Sequence, residues 1–314
     1  MCATSQTVRD LPVLAVAVVW GSSFLSVQHV AGPRTVLAVL VLRFGLVLPL
    51  LGAVAWRSLR RLAPREWLGG ALLGLVLAGV FLLETYGAVH TSATNAGLVI
   101  SLTMVLTPLA ESALRRCPLP RSFLAAAALS LVGVALLTGG GGLRAPSAGD
   151  LLVLGAAVVR TVNVLATARL RSVRGADSLA LTWVQLATAT AVFAVVSGFA
   201  GQSPLAVAAG FGAAQWVLLF HLSLFCTLFA FFVQMWAVRA TSPSRVSLLL
   251  GTEPLWAAVF GIVVAGDRPG VAALAGAACV LVGTEWGRRS AAPAAGPATE
   301  ASSGAAVPTA STTA

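Results

Sequence analysis

Between residues 11 and 287 the chain repeats one design: about 20 apolar residues, then a short polar or arginine-bearing break. Ten such stretches occur, at 11–30, 35–56, 67–89, 93–114, 121–139, 150–169, 178–198, 214–238, 244–265 and 270–287. A hydrocarbon core roughly 30 Å thick offers the backbone no water, so a crossing segment must satisfy its own N–H and C=O groups, and about 20 residues of helix do so. With 58% hydrophobic and 10% charged residues, the chain also lacks the polar surface that a soluble globule needs. The predicted fold class is an all-α integral membrane protein with ten transmembrane helices.

The stretches fall into two sets. Asp10-Leu11-Pro12-Val13-Leu14-Ala15-Val16-Ala17-Val18-Val19 returns as Asp150-Leu151-Leu152-Val153-Leu154-Gly155-Ala156-Ala157-Val158-Val159, with seven of ten positions identical. The same offset lays Arg43 over Trp183. Thr107-Pro108-Leu109 matches Glu253-Pro254-Leu255, and Leu131-Val132-Gly133 matches Leu281-Val282-Gly283. Each copy holds five spans, and an odd number forces the copies into opposite orientations, related by an axis in the membrane plane. The expected organisation is an N-terminal segment (1–10), a first five-helix repeat (11–140), an inverted second repeat (150–287) and a disordered tail (288–314). The tail is rich in Ala, Pro, Thr, Ser and Gly and cannot bury enough surface to fold.

The net charge of +10 comes from 20 arginines and no lysine. Fifteen of them, including Arg9, Arg57, Arg60, Arg61, Arg65, Arg169 and Arg289, fall on one side of the expected membrane, against Arg34, Arg144 and Arg268 on the other. The positive-inside rule then puts both termini in the cytoplasm and makes the protein a multi-pass protein of the cytoplasmic membrane. Because the arginines are dispersed among loops, no nucleic-acid partner is expected. Four cysteines without CxxC spacing indicate neither a disulfide framework nor a metal site, and His29, His90 and His221 have no ligand spacing. The first stretch follows Arg9 like a signal, but it is too long for a simple signal core and nine more spans follow.

Trp20-Gly21-Ser22-Ser23-Phe24, Leu42-Arg43-Phe44, the run from Thr91-Ser92-Ala93 to Thr107-Pro108-Leu109, and the phrases closing on Gly133 and Gly283 resemble EamA-type members of the drug/metabolite transporter superfamily. The resemblance spans roughly residues 10 to 287. It implies two inverted five-helix repeats around a central cavity, moving small metabolites such as amino acids. Where that family commonly carries an acid after the fourth span of a repeat, this chain has Asp267 in the second copy but Arg115-Arg116-Cys117 in the first.

A charge near the bilayer centre costs about 2.5 to more than 10 kcal/mol, so buried ionisable residues mark candidate sites. Arg43, Arg160 and Glu253 lie deep in the second, sixth and ninth stretches, whereas Glu84, Glu111 and His221 sit nearer segment ends. Arg160 with Glu253 is the pairing expected first, with Glu253 either a structural partner or a proton-binding site. Pro254 should break its helix and Pro108 the corresponding one, beside Thr107, since proline lacks an N–H and crowds the preceding turn. Trp20, Asn95, Asn163 and Gln185 are further cavity candidates, with helix packing and interhelical hydrogen bonding as the alternatives.

These readings converge on a secondary transporter that exports a small-molecule substrate by alternating access, surrounded by membrane lipid, with coupling to protons left open. No GxxxxGK[ST] motif is present and no cofactor is implied. The rivals, an integral membrane enzyme acting on lipid or a non-transporting regulator, lack the loop clusters of His, Asp and Glu that such chemistry needs.

Overall fold

The computed structural model describes residues 2–116, 118–138, 146–173, 175–200, 202–240 and 249–291, and within them every regular element is helical. In chain order these are α1 (Cys2–Val30), α2 (Val36–Leu59), α3 (Pro64–Ala88), α4 (Ala93–Ile100), α5 (Thr103–Arg115), α6 (Arg121–Thr138), α7 (Ala148–Arg169) and α8 (Ser178–Phe199). The short α9 (Pro204–Ala209) and α10 (Ala213–Phe220) lead into a π-helical stretch (His221–Phe229), then α11 (Ala230–Ala240), α12 (Glu253–Val263) and α13 (Val271–Ala291).

Seven stretches are long and apolar enough to cross a membrane: Leu11–Val30, Val36–Leu59, Pro64–Ala88, Ala93–Leu114, Ala148–Arg169, Ser178–Phe199 and Ala213–Gln234. Three more apolar helices, Arg121–Leu136, Glu253–Val263 and Val271–Gly287, are shorter. The ten full-length crossings expected from hydropathy thus become seven among the described residues. For two of the three, α6 and α13, the helix starts at or next to the expected residue, and it is the apolar stretch within it, Arg121–Leu136 or Val271–Gly287, that ends short of the helix. The third, α12, is short because a turn at Gly251-Thr252 interrupts its stretch, whose residues 244–248 lie outside the described ones. At the other end of the chain α13 runs on to Ala291, past the expected boundary at 287, and the rest of the proposed tail lies outside the described residues.

The helix ends are written into the sequence. Glu66 in the first turn of α3 accepts from the Ala63 N–H at 2.7 Å, after Pro64 has entered the helix where its missing N–H costs nothing. Ser147 and Asp150 bond each other's backbone N–H at 3.0 Å to start α7, and Asp177 accepts from Leu179 and Ala180 to start α8. Asp150 also accepts from Thr91 Oγ1 at 2.6 Å and Asn95 Nδ2 at 3.3 Å, tying the start of α7 to that of α4. From the other flank Asp267 accepts from the Thr94 hydroxyl at 2.7 Å, after Gly266 at φ 75° has turned the chain back.

Helix α2 runs through the middle, packed on α8, with Phe44 between Phe81 of α3 and Phe193 of α8 at centroid distances of 4.7 and 6.2 Å. Around it α3 packs on α7 and α8, α1 on α12 and the π-helical stretch, α4 on α12 and α7, and α6 on α13. Outward faces are apolar: Leu50, Leu68, Leu72, Val195 and Phe199 are exposed, a surface that water would penalise and lipid would not. The α6–α13 contact is reciprocal. A Cβ at Gly133 would lie 2.7 Å from the Gly276 oxygen and the Val280 nitrogen, and one at Gly283 would lie 2.8 Å from the Ala126 oxygen and the Ser130 nitrogen.

One of the two helix breaks is not where its proline suggested. Pro108 lies inside α5, and the interruption falls at Ser101-Leu102, a turn and more before it. Pro254 sits in the first turn of α12, where it needs no donor, and the interruption falls at Gly251-Thr252. Both turns are built alike: Leu102 N donates to Val99 O and Thr252 N to Leu249 O, each at 3.1 Å. Hydroxyls satisfy carbonyls at each turn, Ser101 donating to Leu98 O and Thr252 to Leu249 O, each at 2.7 Å.

Candidate central cavity

Four charged side chains border one cavity of about 280 Å³: Arg43 from α2, Glu84 from α3, Arg160 from α7 and Glu253 from α12. Helical spacing delivers Glu84, because Leu77, Val80, Phe81 and Glu84 occupy one face of α3. Close packing delivers Glu253. A Cβ at Gly21 would lie 2.6 Å from Trp256 Cβ, so only a glycine in α1 lets α12 come this near. The rest of the wall is Trp20 and Ser23 of α1, with Cys226, Thr227 and Phe231 opposite.

Arg160 donates to Glu84. The expected Arg160–Glu253 bond is not formed: Glu253 lines the same space but has no hydrogen-bond or ion-pair partner among the described residues. Placing Glu84 near the end of its segment hid it from sequence reasoning, yet α7 crosses α3 at that depth. Arg43 is buried, and its guanidinium lies 5.2 and 5.6 Å from the ring centroids of Phe44 and Phe81. Its Nη2 reaches the Thr227 hydroxyl only at 3.5 Å, and its Nε has no partner. The cavity therefore carries one satisfied ion pair, one under-bonded guanidinium and one unpaired carboxylate.

The π-helical stretch, which no sequence signal announced, shapes the wall beside Arg43. Thr227 Oγ1 donates to the Leu222 carbonyl five residues back at 2.9 Å, and the wider turn presents both Cys226 and Thr227 to the cavity. The Trp20 indole donates to the Cys226 carbonyl at 2.8 Å, which answers the need of a tryptophan N–H at this depth. Behind it, Ser22 Oγ and His221 Nε2 are hydrogen-bonded at 2.9 Å, facing a separate groove.

The remaining candidates lie elsewhere. Asn163 donates across to the Leu73 carbonyl of α3 at 3.0 Å, and Gln185 is buried on α8 where a Cβ at Gly74 would touch its backbone. Asn95 belongs to the Asp150 cluster at the start of α4. Thr107 and Pro108 ride on α5, outside the cavity lining, while Pro254 is buried next to Glu253.

The fold and cavity define a helical integral membrane protein with a polar chamber. Residues 9–139 and 147–285 match the EamA-like transporter family. A protein of Archaeoglobus fulgidus described as an uncharacterized transporter is 28% identical over 264 residues, covering 80% of this chain and 87% of that one. One crystal structure aligns with a TM-score of 0.59 at 20% identity over 89% of this chain and 96% of its own, a likeness of fold. The chain belongs to the EamA-like transporter family, within the drug/metabolite transporter superfamily. Members of that family are transporters, not enzymes.

Proposed function

We propose that the protein is a secondary active transporter that exports a small metabolite, an amino acid or related compound, across the cytoplasmic membrane by alternating access, with both termini in the cytoplasm. The observation that carries this reading is the cavity in which two arginines and two glutamates converge from four helices with only the Arg160–Glu84 pair satisfied. Structural ion pairs close on themselves; here a guanidinium and a carboxylate are left facing shared space. The volume of about 280 Å³ suits a molecule of amino-acid size, below the range of drug-sized ligands.

Two inverted five-helix repeats, 11–140 and 150–287, are the organisation that best accounts for the packing. The reciprocal glycines of α6 and α13, each meeting the residues that the other's helix offers at matching positions 150 apart, support it. So do the matched turns at Leu102 and Thr252. Helix breaks in corresponding positions of two repeats are a recurrent site device in transporters.

The test is reconstitution. Proteoliposomes loaded with unlabelled amino acids should take up labelled ones by exchange, and Arg43→Gln and Glu84→Gln should each abolish the exchange while the protein remains folded. Wild-type exchange in both variants would remove this cavity as the site.

A further inference from the structure

A second groove, of about 650 Å³, opens on the outer surface between α2, α3 and α8 at the arginine-rich end. On α2 it runs from Leu48 past Gly52, Ala53 and Trp56 to Arg60, the residue that closes the helix. Twelve residues of helix span about 18 Å, close to the depth of one leaflet in a core roughly 30 Å thick. Its floor is indole. A Cβ at Gly52 would lie 2.8 Å from Trp183 Nε1, so the glycine admits the ring, and that nitrogen spends its hydrogen on the Leu48 carbonyl at 2.9 Å. Trp67 stands edge-on to Trp183, with centroids 6.2 Å apart. Apart from Arg60 the groove thus presents apolar surface.

The mouth is different. Arg60 is exposed but pre-positioned, its guanidinium carbon 4.8 Å from the centroid of the Trp56 ring, itself 56% exposed. Arg57, Arg61 and Arg65 are exposed in the same short stretch. None of the four has an ion-pair partner among the described residues, because the neighbouring acid, Glu66, is engaged in capping α3. Tryptophans at the membrane interface beside clustered arginines are the features that hold a lipid headgroup.

We propose that this groove binds one anionic phospholipid of the surrounding bilayer, its phosphate at Arg60 and an acyl chain along α2 over the tryptophan floor. The proposal needs the chain to span a membrane but does not depend on what it transports. A soluble phosphate compound would satisfy Arg60 and leave an apolar groove one leaflet deep unfilled.

Native mass spectrometry of the full-length protein in detergent, titrated with phosphatidylglycerol and phosphatidylcholine of the same acyl composition, tests it. The first phosphatidylglycerol should bind about tenfold more tightly than phosphatidylcholine, and Arg60→Gln should weaken it about fivefold. Ala53→Trp, which fills the groove at an exposed position and keeps Arg60, should weaken it several-fold. Arg171→Gln, an exposed arginine outside the groove, should leave it unchanged. Equal affinity for the two lipids overturns the proposal. So does an effect of Arg171→Gln as large as that of Arg60→Gln, or unaltered binding in Ala53→Trp, since either reduces the attraction to diffuse charge. Displacement of the lipid by glycerol 3-phosphate at equal concentration would make the site one for soluble phosphates and also overturn it.

Discussion

Arg160 reaches across from α7 to bond Glu84 of α3, leaving Glu253 unpaired at the edge of the same cavity. The two carboxylates therefore carry different burdens, and substitution separates them.

Glu84→Gln or Arg160→Gln strands one charge of the pair. Breaking a buried pair costs about 3–5 kcal/mol and an exposed one under about 1; this pair borders a cavity, so about 1–3 kcal/mol is expected, read as a lower melting temperature. The double variant should regain most of the loss. Additive losses in the double variant would show that the two residues act independently.

Glu253→Gln should melt within about 0.5 kcal/mol of the wild type, since no bond is removed. Transport is where it should matter. If Glu253 carries protons, accumulation driven by a pH gradient disappears in proteoliposomes while exchange of substrate persists. Intact coupling together with wild-type exchange would exclude Glu253 from the mechanism.

Arg43→Met removes an under-bonded guanidinium from an aromatic pocket. Replacing a buried charge by an apolar chain of similar volume is often neutral or stabilising, so the expected change in stability is within about 1 kcal/mol, alongside loss of transport. A strongly destabilised variant would mean that Arg43 holds the fold rather than a ligand.

Gly21→Ala and Gly45→Ala should differ in sign. The first puts a methyl against the Trp256 Cβ and the Ala257 nitrogen, 2.6 and 2.8 Å away, and overpacking costs about 1–3 kcal/mol. The second meets nothing within 4 Å and should gain up to about 1 kcal/mol from helix propensity. Paired thermal melts in one detergent decide it.

A reporter active only in the cytoplasm, fused to the C-terminus, should be active if the seven long stretches and the three shorter apolar helices all cross, as proposed, with the arginine-rich ends inside. An inactive fusion beside an active periplasmic one would overturn the orientation and the count.

Much of this was legible from residue order. Hydropathy located the seven long stretches and the three shorter apolar helices but not the short α9, and the depth of Arg43, Arg160 and Glu253 in their segments marked three of the four charges that meet in the cavity. The fourth escaped because depth along a segment is a one-dimensional measure: Glu84 lies four residues from the end of α3, yet α7 meets it there. Proline marked one break, in the turn before Pro254, and misplaced the other, since Pro108 was accommodated within α5; at both turns a hydroxyl, from Ser101 or Thr252, satisfies a carbonyl. The π-helical stretch had no signature at all. Its extra residue per turn is paid for by contacts with α1, through Trp20 and the Cys226 thiol donating to Val19, that no local pattern encodes.

The mutual seating of Gly133 and Gly283 reaches beyond this chain. A surface that offers its partner the same groove it receives is self-complementary, so it asks only for another copy of itself running the opposite way. Two copies of the proposed five-helix unit, set in opposite orientations, would meet at this seam through the same glycine contacts, with no new one required.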